Sequence, residues 1–185
     1  MESFRELINK RQSVRKYSSK LVEQDKIMNC INAARIAPSA SNSQPWHFIV
    51  VDDPLLKEKV ARATFNPIIL FNRFALHAPV MIVIVLEKPR LITQIGVAIK
   101  KKEWPLIDIG IAAEHFCIQA TEEGLGTCMI GWFNEKKIKR LLNIPFKKTV
   151  ALLISVGYPT DDYPLRAKIR KNIEEICTYN HYQNL

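Results

Sequence analysis

Two arginines and a hydroxyl fall within five residues at Arg11-Gln12-Ser13-Val14-Arg15. Guanidinium groups bind oxyanions through paired N–H donors and serine adds a neutral one, so this spacing suits a phosphate or another anion. A solvated basic turn has the same composition. A second cationic run, Lys168-Ile169-Arg170-Lys171, lies far downstream, where the pattern predicts the start of a helix over 167–177. Cations are disfavoured at a helix N-terminus, and a bound anion would relieve that conflict. Two further stretches carry chemistry. Pro38-Ser39-Ala40-Ser41-Asn42-Ser43-Gln44-Pro45-Trp46 is a polar loop whose prolines fix the backbone while Ser and Asn offer donors and acceptors. Ile130-Gly131 ends an apolar run, and a glycine there lets backbone N–H groups approach a flat ligand closely.

Other chemistries lack their residues. Gly124-Leu125-Gly126-Thr127-Cys128-Met129 opens like a dinucleotide fingerprint, but Met129 stands where the third glycine belongs and the run follows a helix. There is no Walker A run and no G-x-S-x-G elbow. Cys30, Cys117, Cys128 and Cys177 form no C-x-x-C pair, and His47, His77, His115 and His181 are scattered, so zinc is not expected. The cysteines are expected to be reduced and packed. A formal net charge of +9 favours anionic partners, although a solvated basic surface would carry the same charge.

The elements that must position these groups can be read from periodicity. The length of 185 residues fits one domain, 1–185, and no apolar run approaches the roughly 18 residues of a membrane span. Met1 to Glu6 lacks the apolar core of a signal peptide, so a cytoplasmic location is expected. Ser3 and Glu6 form a capping box that opens a short helix running into Arg11. A second helix is expected over 22–36, a strand over 46–51, and a helix after Asp53-Pro54. The continuous apolar runs 79–86 and 150–156 read as central strands covered on two faces. A strong helix over 108–123 carries Ile109, Ala112, Ala113, Phe116 and Ala120 on one stripe, small enough for another backbone, such as a partner subunit's, to approach. Residues 128–132 read as a strand, and Asn134 caps a further helix. Helices and strands without a strict βαβ rhythm indicate an α+β fold with a mixed sheet.

Taken in order, these segments resemble the nitroreductase family of FMN enzymes. The resemblance rests on Arg11-x-Ser13-x-Arg15, Pro38-Ser39-x-x-Asn42-x-Gln44-Pro45-Trp46, Asp108 through Gly124-Leu125-Gly126 to Ile130-Gly131, Gly157-Tyr158-Pro159, and Lys168-x-Arg170. It implies a mostly antiparallel central sheet flanked by helices, in an intertwined homodimer with FMN at each end of the interface. FMN would be held by Arg11, Gln12, Ser13 and Arg15, with Lys168 and Arg170 completing the phosphate clamp and Arg15 at the pyrimidine edge. Pro38, Ser39, Ala40, Asn42 and Gln44 would join the cofactor site, the loop coming from the partner. Ile130 and Gly131 would lie beside the ring, a backbone N–H aimed at N5. No catalytic acid, base or metal is implied: hydride from NAD(P)H would pass through the flavin to a nitroaromatic, quinone or similar acceptor by a ping-pong scheme. An asparagine contacting the flavin would be Asn66 or Asn72. The stretch 88–104, with Lys100-Lys101-Lys102, follows no family pattern. Two alternatives stand: different flavin chemistry, as in flavin destructases or reductive dehalogenases, and a non-catalytic basic module for nucleic acid. The second lacks a base-stacking motif beside its dispersed cations.

Overall fold

The computed structural model describes residues 3–88 and 103–182. Helix α1 (Phe4–Lys10) opens on the expected capping box: the Ser3 hydroxyl accepts the Glu6 N–H at 3.3 Å and the Glu6 carboxylate accepts the Ser3 N–H at 2.7 Å. Helix α2 (Gln24–Arg35) buries Ile27, Cys30 and Ala34. Strand β1 (Trp46–Val51) leads to α3 (Pro54–Ala61), whose first turn is capped by Asp53. Then come β2 (Val80–Leu86), the long α4 (Trp104–Glu122), β3 (Gly126–Ile130), α5 (Glu135–Leu141) and β4 (Thr149–Gly157). Asn134 caps α5 by accepting the Lys137 N–H at 3.0 Å.

The strands form one sheet in the order β1-β2-β4-β3, each named pair antiparallel. Among the described residues, the parallel component is a bridge between Ser13 and Thr127. Alternation along β2 sends Val80, Ile82 and Ile84 to one face, against Ile27, Ala34, Ala112, Ala113 and Phe116 of α2 and α4. It sends Met81, Val83 and Val85 to the other face, against Val60, Ile138 and Ile144. Both faces are covered, so β2 and β4 show the continuous apolar runs of central strands.

Several expectations need correction. No helix spans 167–177; only a single 3-10 turn forms, at Ile173–Glu175. Ile169, Ile173 and Ile176 have helical spacing, but they are 92%, 63% and 65% exposed, and a short helix without a surface to pack on is unstable. The conflict between cations and a helix dipole at Lys168 therefore does not arise. Second, α4 begins at Trp104, with Pro105 in its first turn, so Asp108 is not near its cap. Third, the small residues of α4 admit this chain's own α2 and sheet, since Ala112, Ala113 and Ala120 are fully buried within it. Fourth, Cys30, Cys117 and Cys128 are buried as expected, but Cys177 is exposed. Strand β3 starts at Gly126, two residues before the expected position, and ends at Ile130. Most of 88–104 (residues 89–102) lies outside the described residues.

Candidate functional site

The candidate site grows from the open edge of β3. Helix α4 ends in a Schellman turn, with Leu125 N–H donating to the Ala120 carbonyl and Gly124 N–H to that of Thr121. The chain enters β3 at Gly126, where a Cβ would stand 2.6 Å from the Val14 side chain. Glycine there lets Ser13 bridge Thr127, with Val14 N–H bonded to the Thr127 carbonyl at 2.8 Å, before Tyr17 bridges Pro159. The buried Tyr17 hydroxyl fixes the far end by donating to the Val14 carbonyl at 2.8 Å.

The returning C-terminal segment covers this strip without regular structure. Tyr163 Oη accepts the Arg15 N–H at 3.1 Å, and Lys16 pairs with Asp162 at 2.7 Å. Gln12 donates through Nε2 to the Pro164 carbonyl at 3.1 Å, while its Oε1 accepts Arg166 N–H and Nε–H, each at 3.2 Å. Arg166 also bonds the Ser13 carbonyl, and Lys168 Nζ bonds that of Arg11. These contacts bring together Arg11, Gln12, Ser13, Arg15, Lys168 and Arg170 around a cleft of ≈ 400 Å³. Arg166 lines the same cleft and was missed by the sequence reading. Its signal was the spacing Arg166-x-Lys168-x-Arg170, which in an extended chain points alternate cations the same way.

Cations line the cleft, with the Glu114 carboxylate set against Arg11. Glu114 lies 3.2 Å from Arg11 Nε, but the geometry does not make a hydrogen bond, leaving that buried N–H without one. Loss of solvent around its ammonium, then the charges of Arg11 and Arg170, draws Lys168 below the usual lysine value. Below the cleft, burial raises the Cys128 thiol against the opposing pull of Arg15. A raised thiol pKa leaves it protonated at neutral pH and unsuited as a nucleophile. Cations crowded at this cost, with a buried donor still unsatisfied, match a multiply charged anion such as a phosphate monoester.

At the other end of β3, Ile130 is buried and Gly131 exposed; a Cβ on Gly131 would meet nothing within 4 Å. Arg15 reaches toward this end, its guanidinium 5.7 Å from the Phe74 ring centre. Of the two candidate asparagines, Asn72 adjoins this end: its Nδ2 donates to the Thr64 and Trp132 carbonyls, both at 3.1 Å. Asn66 Oδ1 instead accepts the Ile68 and Ile69 N–H groups of its own loop.

Pro38, Ser39, Ala40, Asn42 and Gln44 do not line the cation cleft of their own chain. Their loop is nonetheless tightly built. Ser41, Asn42 and Gln44 have φ of 52°, 51° and 47°, a strain of about 1–3 kcal/mol at each non-glycine position. The strain is held by Asp108, whose carboxylate accepts the Ala40 N–H at 3.1 and 3.2 Å, and by Ser39 Oγ, which accepts the Gln44 N–H at 3.0 Å. Burial raises the Asp108 pKa, opposed by the Ala40 bond. Asp108, read from sequence as a helix start, is thus the anchor of this loop. Among the described residues, no cluster of His, Cys, Asp and Glu could hold a metal ion, and no helix is long and apolar enough to cross a membrane.

An antiparallel sheet between two helical layers, with a cation-lined cleft at its edge strand, defines an α+β fold. The family model described as "Nitroreductase family" matches residues 8–70 and 69–158. A protein of Archaeoglobus fulgidus, provisionally named an NADH dehydrogenase/NAD(P)H nitroreductase, is 31% identical over 170 residues, covering 88% of each chain. The FMN-dependent nitroreductase of Clostridium difficile R20291 is 28% identical with a TM-score of 0.74, covering 95% of this chain and 98% of that one. An iodotyrosine deiodinase of Thermotoga neapolitana is 24% identical over 98% of this chain and 100% of its own. The chain belongs to the nitroreductase family and is an oxidoreductase of that family.

Proposed function

We propose that this chain, as a single domain over 1–185, binds FMN and transfers hydride from NAD(P)H through it to a nitroaromatic, quinone or similar small acceptor, donor and acceptor using one site in turn. The observation that carries the reading is the convergence of Arg11, Arg15, Arg166, Lys168 and Arg170 on one cleft. Arg11, Ser13, Lys168 and Arg170 hold the FMN phosphate, and Gln12 positions Arg166 against this segment. When bound, the flavin supplies reversible two-electron chemistry; the protein supplies geometry and charge. Arg15 places a fixed cation where negative charge grows on reduction, favouring the reduced form. Ile130 and Gly131 form the backbone edge of the ring's seat, held at Trp132 by Asn72.

Pro38, Ser39, Ala40, Asn42 and Gln44 complete the site of a second copy in a homodimer. Two features support this: the strained loop is built yet does not line the cleft of its own chain, and large apolar side chains stand exposed. Phe4 is 66% exposed, Ile107 53% and Ile173 63%. A partner subunit that covered these side chains would remove them from water.

The decisive test is an absorption spectrum after incubation with excess FMN and removal of unbound cofactor. A bound flavin spectrum, bleached by NADPH without oxygen and restored by a quinone or nitroaromatic, is expected. Protein that remains colourless refutes the reading. The match to the Thermotoga deiodinase favours reductive dehalogenation as the second reading; halide release from a halophenol, without turnover of quinone or nitroaromatic, would establish it instead.

A further inference from the structure

A second recess begins one residue beyond the proposed flavin seat. Trp132 directly follows Gly131, and its indole is 53% exposed. Together with Arg62, Phe65, Asn66 and Lys137 it lines a cleft of ≈ 400 Å³. An adjoining cleft of ≈ 340 Å³ shares Arg62, Phe65 and Asn66 and adds Arg73. The wall is held in place by the two Asn72 bonds to the Thr64 and Trp132 carbonyls and by Asn134 N–H, which donates to the Ala63 carbonyl at 2.7 Å.

The charge of this recess is positive. Arg62, Arg73 and Lys137 are exposed. The neighbouring carboxylates are already engaged: Glu58 pairs with Arg62 at 2.7 Å, and Glu135 takes Lys139 at 2.6 Å and the Val150 N–H at 3.0 Å. The Glu58 contact occupies Nε and one terminal nitrogen of Arg62, which fixes the guanidinium while its other terminal nitrogen stays outside that pair. An exposed indole beside fixed and mobile cations has the donor set for a purine carrying a phosphate: the ring stacks, and the cations bind the dianion.

We propose that this recess binds the adenosine 2′-phosphate end of NADPH and makes the chain prefer NADPH to NADH. The proposal rests on the flavin oxidoreductase reading, because only a dinucleotide donor that reacts at the flavin would bring an adenosine phosphate to this face. NADH carries a hydroxyl where NADPH carries the dianion, so the cations discriminate between two donors of otherwise identical chemistry.

The test uses FMN-loaded protein and the ratio of kcat/KM for NADPH to that for NADH. Joint substitution Arg62→Ala and Lys137→Ala lowers this ratio by roughly tenfold or more, the scale of a charge-assisted contact. Lys137→Glu, which changes charge at an exposed position, lowers it further than Lys137→Ala. Adenosine 2′,5′-bisphosphate competes with NADPH far better than 5′-AMP in the unmodified protein, and the double variant loses the difference. An unchanged ratio, or equal losses for both nucleotides, overturns the recess as a 2′-phosphate site. Failure to bind FMN or to oxidise either nucleotide overturns the oxidoreductase reading instead, so the two failures are distinguishable.

Discussion

Lys168→Ala separates a ligand-binding cation from a structural one, because the two roles predict effects of opposite sign. Lys168 faces the charges of Arg11, Arg166 and Arg170 against that of Glu114, and donates to the Arg11 carbonyl. Its lowered pKa shows that the folded site disfavours the charge. Removing the ammonium relieves that repulsion and loses one carbonyl contact, so the apoprotein melting temperature should rise or stay within about 2 °C. FMN affinity should respond quite differently. A hydrogen bond to a charged group contributes about 1.5–3 kcal/mol, and about 1.4 kcal/mol is tenfold in affinity. FMN binding should therefore weaken by roughly 10- to 150-fold, read by titrating apoprotein and following flavin fluorescence. The dependence of affinity on salt should also become shallower, since one cation has left the site. An apoprotein destabilised by many degrees with unchanged FMN affinity would make Lys168 a strut between the two chain ends and refute the clamp.

Other substitutions probe the same architecture. Glu114→Gln removes the carboxylate beside Arg11; FMN titration should show tighter binding, and weaker binding would mean that Glu114 orients Arg11 for the ligand. Asp108→Asn keeps an acceptor for the Ala40 N–H but removes a buried charge. Because the folded-state pKa of Asp108 is raised, its folded carboxyl binds more protons than the unfolded one, and wild-type stability falls as pH climbs from the ordinary aspartate value through the raised one. The penalty is complete above that window, so denaturant melts at neutral pH should find the asparagine variant equal or more stable, and parallel pH profiles would remove Asp108 as the cause. Finally, Arg15→Ala and Asn42→Ala chains, each impaired alone, should complement when co-expressed: in a hybrid dimer one shared site receives both substitutions and the other neither. Random pairing then leaves about a quarter of all sites fully wild type. Activity no better than the parental average in purified hybrids would show that each site is built within one chain.

What could be read from sequence depended on whether local pattern or long-range contact fixes the feature. The apolar runs of β2 and β4 show themselves as central strands because both of their faces are covered, and the caps at Ser3, Asp53 and Asn134 are local hydrogen-bond grammar. The helix expected over 167–177 failed for the opposite reason. Its isoleucine spacing is helical, but Ile169, Ile173 and Ile176 are exposed, and the start of the segment is instead drawn to the N-terminal strip by Lys168 bonding the Arg11 carbonyl, just after Arg166 bonds that of Ser13. Arg166 was invisible for the same reason: its partners lie more than 150 residues away. The small residues of α4 are legible as a close approach, but not as an approach to α2 within the same chain.

The cation cleft therefore exists only once the two ends of the chain have met along β3, and this couples the cofactor to stability. Arg166 and Lys168 bond the Ser13 and Arg11 carbonyls, while the buried Arg11 Nε–H faces Glu114 without making a hydrogen bond. These carbonyl contacts hold the cations near where a phosphate needs them, so little rearrangement is required on binding. The mutual repulsion of the cations weakens the apoprotein, and a bound dianion cancels it. FMN that binds only the folded chain stabilises it by mass action. The largest local gain should fall on residues 11–17 and 160–170, which the clamp joins. Hydrogen exchange should accordingly slow in those two stretches on FMN addition, and the β2–β4 centre, whose amides open chiefly through global unfolding, should slow by the mass-action factor as well. Protection confined to β2 and β4 would place the flavin elsewhere on the fold.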